Sequence, residues 1–490
     1  MYIIMVASEC APVSKVGGLA DVIYGLSREL EVRGNEVEII LPKYDCMRYD
    51  HIFGLELAYQ DLWVPWGANA IHCSVWFGFV NGRKCFFIDP HSDENFFNRD
   101  NYYGYPDDAI RFAFFSKATL EFMLKINKRP DIIHCHDWQT GLVPVLLFEM
   151  YKPQGMHHPR VCYTVHNFRY QGITGTNILS LTHLNQLDYY QHNDRLQDNV
   201  HFTALNFMKG GIVYSNFVTT VSPKHAWEAQ HTEQGQGLGE TLHIHKDKFG
   251  GILNGLDYEV WNPEIDPLIP HHYTIETLDN KYGNKKALRD RLLLREEYKP
   301  LIAYVGRLDV QKGVHLIQNA LFYSLQNGAQ FVLLGSSPEE SINKEFLRIK
   351  QELNDNEDCH LEIGFNEELA HLIYAGADMI IMPSMYEPCG LAQMIALRYG
   401  TVPIVRAVGG LIDTIFDRDH SSKAITAHNG YVFQEADHIA LNSAMSRAIG
   451  LWYGYPNEFR KLVIQGMQYN YSWQQSGQHY FNIYELIRNK

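Results

Sequence analysis

One pattern recurs from end to end of this chain and restricts its fold more than any other. A short apolar run rich in Val, Ile or aromatic residues stops at a small or polar cluster, and a segment of helical period follows. In the first half the runs are Tyr2–Ala7, Val37–Leu41, Ile132–Cys135, Val161–Val165 and Phe217–Val221. In the second they are Leu301–Val305, Phe331–Leu334, Leu361–Ile363, Met379–Met382 and Val402–Val405. Continuous apolar strands alternating with helices predict parallel sheets buried on both faces. After the first run, Leu19, Val22, Ile23, Leu26 and Leu30 share one helix face, and Arg33-Gly34 closes the helix. The 490 residues are too many for one ordinary domain. With 46% apolar and 20% charged residues they can fill two cores. The expected class is α/β, two doubly wound Rossmann-like domains of parallel sheet. The stretch Trp261–Tyr273, rich in Pro and acids, marks the boundary. Residues 44–115 read as a long, aromatic, loop-rich insertion, and 442–490 as helices packed by Trp452, Tyr453, Trp473, Tyr480 and Tyr484.

Charge and cysteine usage exclude several functions. Lys plus Arg number 42 against 56 Asp plus Glu, a net charge of −14 that argues against broad nucleic-acid binding. The eight cysteines are scattered, with no C-x-x-C pair, as expected for reduced thiols in the cytoplasm. Met1–Ala7 is apolar but short, lacks a basic flank and meets Glu9 at once, so it reads as a strand and not a signal peptide. No stretch approaches the ~18 uninterrupted apolar residues of a membrane span. Neither nucleic acid nor membrane is expected as a partner.

In open α/β sheets ligands bind beyond the carboxyl ends of the strands, so the residues directly after each run deserve scrutiny. Two such domains facing each other would make a deep, water-excluding cleft. After the first run come Lys15, Gly17 and Gly18, where glycines at a helix start let amides approach an anion. This is neither G-x-G-x-x-G nor a Walker loop, and a tight strand-to-helix turn explains a Gly-Gly pair equally well. After the third run, Asp137 can take two sugar hydroxyls and Trp138 can stack on a pyranose face. His134 and His136 beside them are expected on opposite faces of the strand, which weighs against a shared metal. His166-Asn167 ends the next run. In the second half, Arg307 and Lys312 put two cations on one loop of an acidic chain, the pattern of a pyrophosphate clamp or of a solvated pair. Further on, Glu387 precedes Cys389-Gly390-Leu391-Ala392, whose amides at a helix start suit a second anionic group. Cys389 has no His near it in sequence, which weighs against a nucleophile.

In the order K-V-G-G-L-A-D-V, H-D-W-Q, T-V-H-N, L-N-G-L-D-Y-E-V-W, G-R-L-D-V-Q-K-G, E-P-C-G-L and V-G-G-L-I-D-T, these motifs resemble the bacterial glycogen synthase and plant starch synthase family. The aromatic insertion and Gly335-Ser336-Ser337-Pro338 are most similar to its cyanobacterial and plant branch. The resemblance implies a GT-B fold with the active site between two Rossmann-like domains, 1–262 and 263–460, and a terminal helix, 461–490, crossing back onto the first. It implies retaining transfer of glucose from ADP-glucose to the non-reducing end of an α-1,4-glucan, in the cytoplasm or a plastid stroma-like compartment, with no metal or other cofactor.

By the same resemblance, Arg307 and Lys312 would neutralise the departing ADP, and Lys15, Gly17 and Gly18 would hold its distal phosphate. Glu387 would bind the glucose 3- and 4-hydroxyls, and His166 would sit near the 6-hydroxyl and the reacting face. Asp137, Trp138, Gln139, Asn167 and Asn254 would line the donor sugar and acceptor side. Asp21 would orient the glycine loop or the acceptor, and Cys389, Gly390, Leu391 and Ala392 would border the donor. Tyr103, in the aromatic segment Asn101–Tyr105, suits either an acceptor clamp or loop packing. Two positions depart from the family pattern. Ala392 stands where a Thr is usual, a lost hydroxyl contact of about 0.5–1.5 kcal/mol. Phe365 stands at the usual adenine-stacking Tyr, where its ring still stacks but donates no hydrogen bond. UDP-glucose as donor, or a non-catalytic glucan-binding or priming role for the same fold, are the alternatives.

Overall fold

The computed structural model describes residues 1–489. The chain divides into two units, Met1–Gly255 with Trp473–Lys490, and Leu256–Ser472. The breaks therefore fall at 255/256 and 472/473, where the sequence placed them at 262/263 and 460/461. The proline-rich stretch looks like a linker, but its polar residues are anchored inside the second unit. Asn262 accepts from Arg398 Nη2 at 2.7 Å, and Asp266 Oδ2 lies 2.7 Å from His371 Nδ1. Leu256 N donates to Tyr471 O at 2.7 Å, which closes that unit on itself.

In the first unit the strands are β1 (Tyr2–Val6), β2 (Glu36–Pro42), β3 (Ile52–Trp66), β4 (Asn69–Val80), β5 (Arg83–Pro90), β6 (Ile132–His136) and β7 (Arg160–Val165). A two-residue pair follows, β8 (Ile173–Thr174) and β9 (Leu205–Asn206), then β10 (Phe217–Thr220) and β11 (Phe249–Gly251). The main sheet has nine strands in the order β11-β10-β7-β6-β1-β2-β5-β4-β3. From β11 to β5 all neighbours are parallel. Every residue of β6 is buried, as expected where both faces are covered.

The expected loop-rich insertion is instead mostly sheet. β3 and β4 form a long antiparallel hairpin, and β4 pairs antiparallel with β5. The pattern was hard to read because much of β3 is exposed, so its alternation is visible only at Leu62, Val64 and Trp66. The helix Trp473–Arg488 packs on this unit. A Cβ on Gly25, in the helix Gly18–Val32, would meet Trp473 Nε1 at 1.9 Å, so only glycine admits the indole. Tyr484 Oη lies 2.7 Å from His134 Nδ1 at the same interface.

The second unit holds β12 (Leu301–Val305), β13 (Gln330–Gly335), β14 (Cys359–Ile363), β15 (Met379–Met382), β16 (Val402–Arg406) and β17 (Tyr431–Phe433). They form one parallel sheet in the order β14-β13-β12-β15-β16-β17. Counted within the unit this is 3-2-1-4-5-6, the doubly wound order, whose switch point lies between β12 and β15. β11 and β17, at three residues each, are too short to show in the sequence pattern. Among the described residues no helix is long and apolar enough to cross a membrane.

Candidate active site

The direction of a doubly wound sheet reverses at one point, and loops leaving the strands there diverge and leave a crevice at the carboxyl edge. In the first unit that point is between β1 and β6, and in the second between β12 and β15. Apart from Asn254, which follows the edge strand β11, the polar residues singled out in the sequence leave those strands or their immediate neighbours.

The β1 loop turns on Glu9, a residue that the sequence reading gave no role. Its carboxylate is buried, and Oε2 accepts from the amides of Val16 at 2.7 Å and Gly17 at 3.0 Å. Oε1 accepts from Tyr103 Oη at 2.7 Å, and Tyr103 Oη lies 2.8 Å from Ser8 Oγ. The phenol of Tyr103 is thus committed beneath the glycine loop, the packing alternative left open for it. Gly17 does not offer a spare amide either, since Glu9 already takes it. Burial raises the pKa of the Glu9 carboxyl, while the Val16 amide, the Tyr103 hydroxyl and the Gly17 amide lower it. A Cβ at Gly17 or Gly18 would meet nothing within 4 Å, so packing inside the unit does not call for these glycines. Lys15 is exposed and 2.7 Å from Asp21 Oδ1.

Asp137, directly after β6, adopts φ +56°, a costly conformation for a residue with a Cβ. Its Oδ1 accepts from the amide of His166 at 2.7 Å, and the Asn167 amide also bonds to it. The carboxylate therefore holds the loop after β7 to the loop after β6. Burial pushes its pKa up to about 7, and the two amides pull the other way. Trp138 packs edge-on against Phe112 at 5.4 Å, and Gln139 is buried with Oε1 lacking a partner. Asn254, after β11, likewise buries Oδ1 without a partner. Two carbonyl oxygens left unsatisfied in one unit are candidates for ligand hydroxyls. Asn167 Oδ1 accepts from the Arg169 amide at 2.9 Å.

His134 and His136 lie on the same face of β6, with ring centroids 4.0 Å apart, which corrects the expectation of opposite faces. Side chains two positions apart on a strand share a face because the pleat repeats every two residues. Among the described residues no three His, Cys, Asp or Glu side chains are grouped to hold a metal ion. Burial pulls the pKa of His134 and of His166 down to about 3 and that of His136 well below its usual value, so all three rings are neutral at physiological pH. His136 Nδ1 is 3.1 Å from His166 Nε2, and His136 Nε2 is buried without a partner. Orphaned buried N–H groups are rarer than orphaned acceptors. The network therefore assigns the His136 proton to Nδ1, donating to His166, and leaves the His166 proton on its own Nδ1.

In the second unit the loops after β12 and β15 meet in an ion pair, Lys312 Nζ to Glu387 Oε2 at 2.6 Å. Ser384 Oγ donates to the same oxygen at 3.0 Å, a partner not foreseen from the sequence. Glu387 is 5% exposed. Asp309 Oδ1 accepts from the Lys312 amide at 2.9 Å, and Gly313 follows at φ +74°. A Cβ there would meet Pro383 O at 2.2 Å, so the glycine lets the two loops touch. Arg307 is exposed, with Nη1 3.3 Å from Asp309 Oδ2. Gly390, Leu391 and Ala392 lead into the helix Ala392–Arg398, whose first-turn amides lack intrahelical acceptors. Cys389 is buried and its carbonyl accepts from Gln393 Nε2 at 3.0 Å. Phe365, after β14, is 90% exposed, an open ring at the same edge of the sheet. Gly409 and Gly410, after β16, abut this loop: a Cβ on Gly409 would meet Glu387 O at 2.0 Å, and one on Gly410 would meet Cys389 O at 2.2 Å.

Two Rossmann-like units define the GT-B class of glycosyltransferase, and in this chain the second carries a cation–carboxylate pair at its switch point and an open aromatic ring at the same edge. Family models agree: residues 2–244 match the starch synthase catalytic domain, and 285–461 match the glycosyl transferases group 1. Glycogen synthase 1 of Trichormus variabilis is 65% identical over 491 residues, covering all of both chains. Glycogen synthase 2 of Methylococcus capsulatus is 61% identical over 99% of this chain and 100% of its own. Among solved structures, the catalytic domain of starch synthase IV from Arabidopsis thaliana, bound to ADP and acarbose, has a TM-score of 0.96 and 42% identity, covering 100% of this chain and 99% of that one. The chain belongs to the glycogen synthase and starch synthase family, and it is a glycosyltransferase.

Proposed function

We propose that this chain transfers glucose from ADP-glucose to the non-reducing end of an α-1,4-glucan, with retention at the anomeric carbon and release of ADP. The half-buried Lys312–Glu387 pair at the switch point of the second sheet carries this reading most directly. The ADP and acarbose of the Arabidopsis relative support a nucleotide donor and a glucan acceptor. Lys312 and Arg307 neutralise the charge that grows on the departing diphosphate, and Glu387 grips the glucose 3- and 4-hydroxyls. The amides of Gly390, Leu391 and Ala392, with Cys389 beside them, border the phosphates. Two side-chain cations at this edge supply the charge that a divalent metal brings elsewhere, so an excess of chelator is expected to leave the rate unchanged. The eight cysteines, none in a disulfide, suit a reducing compartment such as the cytoplasm.

In the first unit the Gly18 amide and Lys15 take a phosphate oxygen, and Asp21 keeps Lys15 in place. With Gly17 already bound to Glu9, the role given to the glycine pair narrows to Gly18 and to the open space above both residues. His166, a neutral donor at Nδ1, faces the sugar near its 6-hydroxyl. Trp138, Gln139, Asn167 and Asn254 line the sugar and acceptor side. The acceptor 4-hydroxyl bonds to C1 from the face that ADP leaves. The C1–O bond to phosphate breaks, and the departing phosphate oxygen takes the acceptor proton.

Asp137 acts by charge: ionised, it holds the His166 and Asn167 amides. Its pKa of about 7 predicts an acid limb there, with kcat/KM falling as the pH drops and the carboxylate protonates. Asp137→Asn is expected to abolish that limb and to lower the plateau above it. A pH profile of both proteins checks this, and a limb that survives in the variant belongs to another group.

Phe365→Ala removes one base-stacking face, worth about 1–3 kcal/mol. KM for ADP-glucose should rise roughly 5- to 150-fold with kcat little changed. The decisive assay compares radiolabelled ADP-glucose and UDP-glucose on one defined maltooligosaccharide. Preference for ADP-glucose is expected. Equal use of UDP-glucose would displace adenine from the reading, and no incorporation at any acceptor length would leave a glucan-binding protein.

A further inference from the structure

The second unit holds a cavity of about 340 Å³ at the edge opposite to its catalytic loops. Its walls come from residues that precede the strands, Tyr298 before β12, Asp378 before β15 and Gly400 before β16, and from the helices His438–Gly454 and Pro456–Met467. Lys312, Glu387 and Phe365 all follow strands, so this space is no part of the site described above. Its volume lies in the range of small-ligand pockets.

Two properties of the lining select a ligand. The first is aromatic surface: Tyr282, Tyr298, Trp452 and Phe459. Tyr298 and Trp452 have ring centroids 4.6 Å apart, and Tyr298 is 69% exposed at the mouth. The second is charge. Three lining residues are cationic, Lys281, Lys285 and Arg460, against one carboxylate, Asp378, in a chain whose net charge is −14. Lys285 Nζ is paired with Asp378 Oδ2 at 2.6 Å and lies 5.0 Å from the Trp452 ring centroid. Arg460 Nη1 meets Asp279 at 2.7 Å at the rim. Lys281 is different. Its ammonium is buried, and it donates to Tyr374 O, Ala375 O and Thr401 Oγ1, all neutral acceptors. A buried cation is costly, Asp378 offsets this one only in part because Lys285 already holds it, and burial lowers the pKa of the Lys281 amine to about 7.

We propose that this cavity is a ligand site for a small amphipathic anion, a planar or cyclic apolar body bearing one acidic group. The rings take the body, and the acidic group meets the N–H groups of Arg460 that Asp279, bound at Nη1, leaves over, in a lining whose cations outnumber its carboxylates three to one. Carboxylate, sulfonate and phosphate ligands share this chemistry.

The probe is 8-anilinonaphthalene-1-sulfonate, titrated into the full chain with saturating ADP present to block the nucleotide site. Its uncharged relative N-phenyl-1-naphthylamine serves as the control. One saturable, ADP-insensitive sulfonate site is expected, with the uncharged dye binding about tenfold or more weakly for want of a charge-assisted hydrogen bond. Arg460→Glu, at a partly exposed rim position, should weaken the sulfonate by a similar factor and leave glucosyl transfer unchanged. Val463→Trp, which fills the space from its wall, should remove binding of both dyes. The proposal is overturned if no ADP-insensitive site appears, if Arg460→Glu leaves sulfonate affinity intact, or if the uncharged dye binds as tightly as the charged one.

Discussion

Replacing Glu387 by Gln is expected to lower kcat by about 10²–10³-fold while the chain stays folded, the scale seen when one preorganised electrostatic contact is lost. The isosteric amide keeps the side-chain volume and an oxygen for Ser384 Oγ, 3.0 Å away in the parent. What disappears is the negative partner of Lys312, 2.6 Å away, and, on the proposed reading, the charged acceptor for two sugar hydroxyls. Lys312→Ala should cost activity on a similar scale but with a side effect. It strands a carboxylate that is 5% exposed with Ser384 alone, and breaking a buried pair destabilises by roughly 3–5 kcal/mol. Lys312 itself is partly exposed, so water would relieve part of that cost. Incorporation of label from ADP-glucose, measured beside circular dichroism and thermal midpoints, separates the two effects. A Glu387→Gln enzyme within threefold of the parent's rate, on the scale set above, would remove the pair from the catalytic site.

Gly409→Ala is expected to damage both stability and turnover although the residue offers no side chain to any substrate. Gly409 sits at φ +46°, where a Cβ costs about 1–2 kcal/mol by itself. That Cβ would also stand 2.0 Å from the carbonyl oxygen of Glu387, a backbone atom that moves only with its loop. The combined penalty is about 3 kcal/mol or more, and relief must come by shifting the segment that carries Glu387. A displacement near 1 Å in that loop is enough for about a 10²-fold loss in rate. Gly450→Ala, on the helix His438–Gly454 with nothing within 4 Å of its Cβ, is the control: it should leave activity unchanged and melt no lower than the parent, since Ala is the better helix former. Parent-like activity and melting in Gly409→Ala would show that the loop tolerates the shift, and that its position is less restrictive than the geometry implies.

The elements that were legible in the sequence are those whose pattern is local. Each predicted apolar run is a strand to within two residues, and the helix face of Leu19, Val22, Ile23, Leu26 and Leu30 is buried. The loops that follow were legible for the same reason, since a sheet end is where an apolar run stops. The hairpin of β3 and β4 was missed because its outer strand is largely exposed and lacks the apolar alternation that marks a strand. Glu9 and Ser384 were passed over because a single acid or hydroxyl in a loop carries no pattern. Glu9 stands three residues past the first strand, seven and eight residues ahead of the amides it caps, and that spacing was the one available signal. The faces of His134 and His136 were within reach from the two-residue pleat and were misassigned.

Periodicity and loop chemistry alone thus decide the α/β class, the two sheets and the edge that carries the candidate site, because each depends on neighbours within a few residues. Pairings across the chain are of another kind. Lys312 meets Glu387 across 75 positions, Tyr484 meets His134 across 350, and Glu9 takes the Gly17 amide that the glycine pair had been expected to offer a phosphate. Those contacts depend on strand order and on how closely backbones approach at Gly25, Gly313 and Gly409, distances that exist only once the sheets have formed.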